Sequence, residues 1–301
     1  MSIIKVNGVT KTFGDFKALD NLSLDVEKGS VYGLIGPNGA GKTTIIKNLC
    51  GIYTPDEGEI LIDNNTVFEN NKIKEKVIYI SDELFFYSTY SIKATAKMYS
   101  EIYPNWSWER YESMKEIFKI NEKRKVRRLS KGMQKQVAFW LGICTCPDVM
   151  ILDEPVDGLD PVMRRNVWSL ILSDVAERGT TVLISSHNLR ELEDVCDHVG
   201  IMFCGKVVLQ KSLDDVKGNI HKVQVAFDKS FPEEITKQLQ ILHKSEFGSV
   251  ITLIVKEENE KIKEILSSYK PLILDILPLT LEEVFIYELG GMGYEFENII
   301  L

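Results

Sequence analysis

The nine residues GPNGAGKTT, Gly36 to Thr44, combine three glycines, a lysine and two threonines at the spacing G-x-x-x-x-G-K-[ST]. Without a Cβ in the way, Gly36, Gly39 and Gly41 let the backbone turn its N–H groups toward one concavity, and Pro37, Asn38 and Ala40 complete the turn. Lys42 adds a point charge suited to the β- and γ-phosphates of a nucleotide, and Thr43 offers a hydroxyl to Mg²⁺. The helix that begins near Thr44 presents its N-terminus to an anion.

A second chemical centre is VMILDEP. Four apolar residues deliver Asp153 to the end of a buried strand, where its carboxylate can join a magnesium shell. Glu154 beside it can orient or deprotonate water. His187, in ISSHN, stands at another strand end, and a histidine so placed can hydrogen-bond a γ-phosphate and sense its loss. A second polar, glycine-bearing loop, LSKGMQKQ (Leu129 to Gln136), precedes a helix and has no evident task beside a complete phosphate loop.

These residues need a scaffold that collects strand ends on one edge. VYGLI, KVIYIS, VMILD and TVLISS are short apolar runs, three of them bounded by Gly, Pro or polar residues, and NVWSLILSDVAERG between the last two has a helical pattern. The alternation predicts an α/β fold: a P-loop core with a mostly parallel sheet covered by helices. IIKVNGVTKTFG and NLSLDVEKGS alternate partly and predict an antiparallel β flap ahead of that core. Residues 83–146 read as a helical insertion, with WERYESMKEIFKI and MQKQVAFWLGIC as helices. After about Lys211 the texture changes to HKVQVAF, a helix, VITLIVK, a helix, LILDILPL and a last helix, a small α+β domain. SFPE and TLEE carry the Ser/Thr-x-x-Glu pattern of helix starts. The expected division is 1–215 and 216–301.

Composition narrows the function. A length of 301 residues, 44 % hydrophobic, suits one large domain plus a small one. A net charge of −8 argues against binding nucleic acid through the overall field, and KRKVRR (Lys123 to Arg128), with no aromatic interleaving, reads as a solvated face. Five cysteines without a CxxC pair fit a reducing compartment, and Cys196, His198 and Cys204 match no zinc spacing. No apolar run reaches the roughly 18 residues of a membrane span.

With LSKGMQKQ added to the phosphate loop and VMILDEP, the chain resembles the nucleotide-binding subunit of ATP-binding-cassette transporters over about residues 1–215. The family signature is LSGGQ; Leu129, Ser130 and Gly132 match, whereas Lys131 and Met133 depart from it. The resemblance implies that Ser130 and Gly132 meet an ATP held by a second, identical or related, chain, so that two MgATP are sandwiched in a dimer. It implies that Asp160, in GLD, lies in the loop crossing between subunits, that His187 is the switch histidine, and that Phe13 stacks on adenine, with Phe16 as the alternative. The family's glutamine after the strand corresponding to KVIYIS is missing; Ser81-Asp82-Glu83 stands there, and Asp82 is assigned its metal or water contact.

The implied function is ATP hydrolysis that powers a separate membrane-spanning subunit, from a position in the cytoplasm, peripheral on the cell membrane. LFFYSTY and YPNWSWERY supply candidate rings for the coupling surface. TLEEVFIYELGG resembles the ending of exporter subunits of the antibiotic-resistance and envelope-stress type. Two alternatives stay open: a soluble relative acting on ribosomes or DNA, and an importer subunit with a regulatory tail.

Overall fold

The computed structural model describes residues 1–213, 215, 220–228, 231–280 and 282–283. These form two compact units, one of Met1–His187 with Val195–Gln210, the other of Asn188–Asp194 with the described residues from Lys211 onward; the sequence alone suggested a single cut after 215.

In the first unit, β1 (Ser2–Phe13) and β2 (Phe16–Glu27) pair antiparallel and bury alternate residues, as a sheet with one wet face must. The chain then enters β3 (Val31–Ile35) and α1 (Lys42–Leu49) before returning to the flap as β4 (Glu57–Ile62) and β5 (Asn65–Thr66), giving the order β2-β1-β4-β5. The flap's Ile4, Val6, Leu22 and Leu24 share a core with Leu34 of β3 and with Ile45, Ile46 and Leu49 of α1. The phosphate loop, between β3 and α1, is thus anchored by apolar burial at both ends.

After α2 (Asn71–Lys74) come β6 (Val77–Ile80), β7 (Val149–Asp153) and β8 (Thr181–Ser186). Every residue of β3, β7 and β8 is buried, which explains their largely apolar character. With β9 (His198–Phe203) and β10 (Lys206–Ser212) they form a sheet of order β10-β9-β3-β8-β7-β6. Its β9, β3, β8, β7 and β6 run parallel, so the segments after β3, β6, β7 and β8 leave from one edge.

The helical insertion contains α3 (Ile92–Ile102), α4 (Trp108–Phe118) and α5 (Lys131–Cys144). Ser91, Ser107 and Ser130 cap them, each side-chain oxygen accepting from a backbone N–H of the first turn. Trp140 of α5 stacks on Tyr111 of α4 at 4.9 Å and donates its indole N–H to the Tyr111 carbonyl. Phe85, Tyr87 and Trp108 are exposed, so the rings of this region divide between core and surface. α6 (Pro161–Arg178) joins β7 to β8, ends at Gly179 in the left-handed region, and supplies Asp174 to the Arg110 guanidinium of α4.

In the second unit, α7 (Leu189–Glu193) precedes β11 (His221–Ala226), α8 (Ile235–Gln238), β12 (Ile241–Phe247), β13 (Val250–Val255), α9 (Asn259–Ser268) and β14 (Ile273–Pro278). The strands make an antiparallel sheet, β12-β13-β11-β14, with Val223, Val225, Leu253, Ile262 and Leu266 in its core. β12 is missing from the sequence expectation because ILHKSEF is an edge strand, mostly exposed, with neither face strongly apolar. Its signal is the turn at Gly248, whose φ of 62° closes the Phe247–Val250 hairpin. The helix expected after SFPE is only the four-residue α8. Thr280 and Glu283 form the reciprocal capping box read from TLEE. Ser230 and most of the last expected helix lie outside the described residues.

Candidate active site

The phosphate loop adopts a shape that only glycine fills cheaply. Gly39 and Gly41 have φ of 81° and 104°, and a Cβ on Gly36 or Gly41 would stand 2.4 Å from the Met202 carbonyl oxygen or 2.7 Å from that of Ala18. Lys42 lies buried under the loop, where its Nζ donates to the carbonyls of Gly36 at 2.6 Å and Pro37 at 3.3 Å. Burial lowers its pKa from the ordinary lysine value, opposed by the carboxylates of Glu154 and Asp153.

A cavity of about 340 Å³ opens beside it, bounded by Asn38 to Thr44, by Phe16 and Ala18 of β2, and by Asp82, Asp153 and Glu154. That volume is within the range of small-ligand sites. Thr43, Asp82 and Asp153, the three expected metal ligands, share this wall, an oxygen-only donor set suited to a hard dication.

Asp153 is buried at the end of β7, and the Ser185 hydroxyl of β8 donates to its Oδ1. Glu154 follows with φ of 44°, a left-handed backbone uncommon for a non-glycine residue, and its N–H donates to the Ser185 carbonyl at 3.1 Å. Its Oε2 lies 3.0 Å from Nδ1 of His187. Burial raises the Glu154 carboxyl above the usual range, against the pull of His187. The hydrogen bond that the imidazole donates to Glu154 in turn raises the His187 pKa. Asp157 completes a cluster with these two, their ligand atoms within 4.8 Å of one another.

Other expected residues stand off the cavity wall. Ser130 caps α5, its Oγ accepting from the Met133 N–H at 3.3 Å. Gly132 packs so closely on the GLD loop that a Cβ there would be 2.7 Å from the Gly158 carbonyl oxygen. Asp160 caps α6 by accepting from Val162 and Met163 N–H groups. Phe13 sits edge-on to Tyr53 at 5.4 Å, while Phe16, across the hairpin, is on the wall. Of the basic cluster, Val126 is buried and Arg127 and Arg128 are exposed, as a solvated face requires.

Sequence reading missed Ser185, Asp157 and Lys135. Lys135 is buried on α5, where its Nζ donates to the carbonyls of Glu154 at 2.6 Å and Asp157 at 3.2 Å and lies 3.4 Å from Asp82 Oδ1. One signal could have found it: Lys135 is four residues before Phe139, on the face of α5 that is otherwise apolar. Ser185 and Asp157 carry no comparable local mark.

The comparisons with known proteins agree with this geometry. The family model described as "ABC transporter" matches residues 19–157. The chain is 34 % identical to the ABC transporter ATP-binding protein YtrB of Bacillus subtilis (strain 168), over 96 % of this chain and 99 % of that protein. It is also 34 % identical to the bacitracin transport ATP-binding protein BcrA of Bacillus licheniformis, over 72 % of this chain and 72 % of the relative. Among solved structures, an ATP-binding subunit of an ABC transporter superposes with a TM-score of 0.68 at 26 % identity, covering 72 % of this chain and 92 % of that one. Coverage of nearly the full length of one such relative, and of the phosphate-loop core by the family model, leads to one conclusion: the chain belongs to the ATP-binding subunits of ABC transporters.

Proposed function

We propose that this subunit binds MgATP in the phosphate-loop cavity, closes on a second ATP-binding chain, and drives export by its membrane partner from the cytoplasmic face. Subunits of this family hydrolyse ATP to power transport and work with membrane subunits. The observation that carries the site assignment is the common wall shared by Lys42, Thr43, Asp153 and Glu154, with Ser130 outside it. One chain thus supplies only one side of a nucleotide site, and the exposed Ser130 end of α5 is free to supply the other side of a neighbour's.

The chemistry follows from the groups present. Lys42 exchanges its own loop carbonyls for phosphate oxygens, and the loop N–H groups share the remaining negative charge. Glu154 accepts a proton from water as the water oxygen attacks the γ-phosphorus; the bond to the bridging oxygen breaks and ADP leaves with that electron pair. His187, held by Glu154, orients the carboxylate toward that water. Thr43, Asp153 and Asp82 would hold Mg²⁺, which when bound neutralises charge on the phosphates. Phe13 is assigned to the base although it stands off the wall against Tyr53, and Phe16, its alternative, is on the wall. Closure of two chains around ATP, and its release after hydrolysis, moves the membrane partner between its two states.

Export is favoured because the relatives include proteins named for bacitracin transport and daunorubicin resistance. No helix of the described residues is long and apolar enough to cross a membrane, and the transport pathway is assigned to the membrane partner. Residues 216–301 are assigned as an accessory domain. Affinity capture of the full chain from detergent-solubilised membranes tests the reading: a multispanning partner is expected, and ribosomes or DNA in its place would overturn it.

A further inference from the structure

We propose that Lys135 is a positioning residue for hydrolysis, its ammonium pinning the backbone of Glu154 and Asp157 and tying both to Asp82 and to the signature helix. The inference rests on Glu154 being the group that handles the attacking water.

An ammonium in a site only 4 % exposed persists where its charge and donors are met. Lys135 has three N–H donors and three acceptors: the Glu154 carbonyl at 2.6 Å, the Asp157 carbonyl at 3.2 Å and Asp82 Oδ1 at 3.4 Å. The acceptors come from two separate segments, the loop after β7 and the segment after β6, and the donor comes from α5. Glu154 holds a φ of 44°, and such a backbone persists only where its surroundings over-determine it. The shortest bond Lys135 makes is to that residue's own carbonyl. Other contacts hold the same loop: the Glu154 N–H on Ser185, the Glu154 carboxylate on His187, and Gly132 against Gly158. Lys135 also joins the loop to Asp82, a carboxylate on the cavity wall from a separate segment.

Two consequences follow. Because Lys135 and Ser130 share α5, a shift of this helix relative to the sheet acts on the Glu154 carbonyl, so the state of the signature end reaches the water-handling group through one bond. Asp82 adds a negative charge to a cavity meant for phosphate, and the ammonium 3.4 Å away compensates it.

The test uses the full chain carrying Lys135→Met, which removes the donors, and Lys135→Gln, which keeps an amide donor. For Lys135→Met, kcat should fall about 100-fold while the ATP Kd stays within about threefold. In the nucleotide-free chain, amide exchange should rise at residues 154–158 and stay unchanged in β3 and β8. Lys135→Gln should recover about tenfold of the lost rate; if Lys135→Met does not fold, this variant is read alone and should show a lower kcat at unchanged Kd. Hydrolysis by Lys135→Met within about threefold of the parent would overturn the proposal. So would exchange rising through β3, β7 and β8 together with loss of ATP binding, which marks a merely structural lysine. Glu154→Gln serves as the control. If it keeps hydrolysing, the catalytic reading fails; if it is inactive while both Lys135 variants are active, only the positioning role fails.

Discussion

Nδ1 of His187 stands 3.0 Å from Oε2 of Glu154, although 32 residues lie between them in the chain. Neighbouring parallel strands make the contact: Asp153 of β7 pairs in register with Ser185 of β8, so the next residues leave the sheet side by side. The pair gives the site a titration signature. Glu154 raises the His187 pKa from its ordinary 6.5, against the opposing effect of burial. In the nucleotide-free chain, Glu154→Gln should bring it back down, measured by NMR titration. Charging of His187 stabilises the fold while Glu154 is ionised: that contribution is full below pH 6.5, is lost as pH rises through the raised folded value, and fades at acid pH where Glu154 itself takes up a proton. Identical His187 titrations in both proteins would remove the contact from the site's electrostatics.

Glu154→Gln should also separate binding from turnover. The amide keeps the size of the side chain but takes no proton, so hydrolysis should fall ~10²- to 10⁴-fold while MgATP still binds. An ATP-bound dimer should accumulate, seen by size-exclusion chromatography. Near-parental turnover would assign the base elsewhere.

Ser130→Ala should weaken hydrolysis and leave ATP binding by the single chain intact, at a cost of about 1 kcal/mol in α5 for the lost cap. Mixing Ser130→Ala chains with Lys42→Ala chains creates dimers in which one site is free of both changes, so part of the activity should return. Verified mixed dimers with no activity, where a single intact site is known to turn over, would count against a shared site.

Gly41→Ala should destroy the loop for two reasons: a φ of 104° and a Cβ placed 2.7 Å from the Ala18 carbonyl oxygen. Gly39→Ala meets open space and carries only the backbone strain of its φ of 81°, of order 1–3 kcal/mol. Thermal melts and ATP binding should therefore rank Gly41→Ala well below Gly39→Ala; equal effects would argue against the tight packing of Gly41.

Arg110→Met should leave Asp174 buried without its cation, at a cost of about 3 kcal/mol. Burial already raises the Asp174 carboxyl, and Arg110 opposes that rise. Replacing both residues with apolar ones should recover much of the loss. Denaturant unfolding of the single and double variants measures the difference.

The sequence by itself determined the parts of the site whose chemistry is local. GPNGAGKTT carries its own turn, charge and helix start within nine residues, and VMILD states its burial by the four apolar residues that precede Asp153. Period and spacing report such features because neighbouring residues create them. The helices α4 and α5 of the insertion are legible for the same reason, whereas their serine caps emerge only in the structure. The edge strand β12 is not, because the partner strand β13 rather than its own pattern holds it in place.

Tertiary structure decided which distant groups meet. Phe16 rather than Phe13 faces the phosphate cavity because of how the β1–β2 hairpin lies over it, and Ser185 reaches Asp153 because two parallel strands share a register. Lys135 reads in sequence as one polar residue in LSKGMQKQ, yet it lies under the backbone of Glu154, 53 residues from Asp82 in the chain. A buried charge takes its partners from whatever the packing of α5 on the sheet brings within about 3 Å, and packing at that range leaves no periodic trace in the sequence.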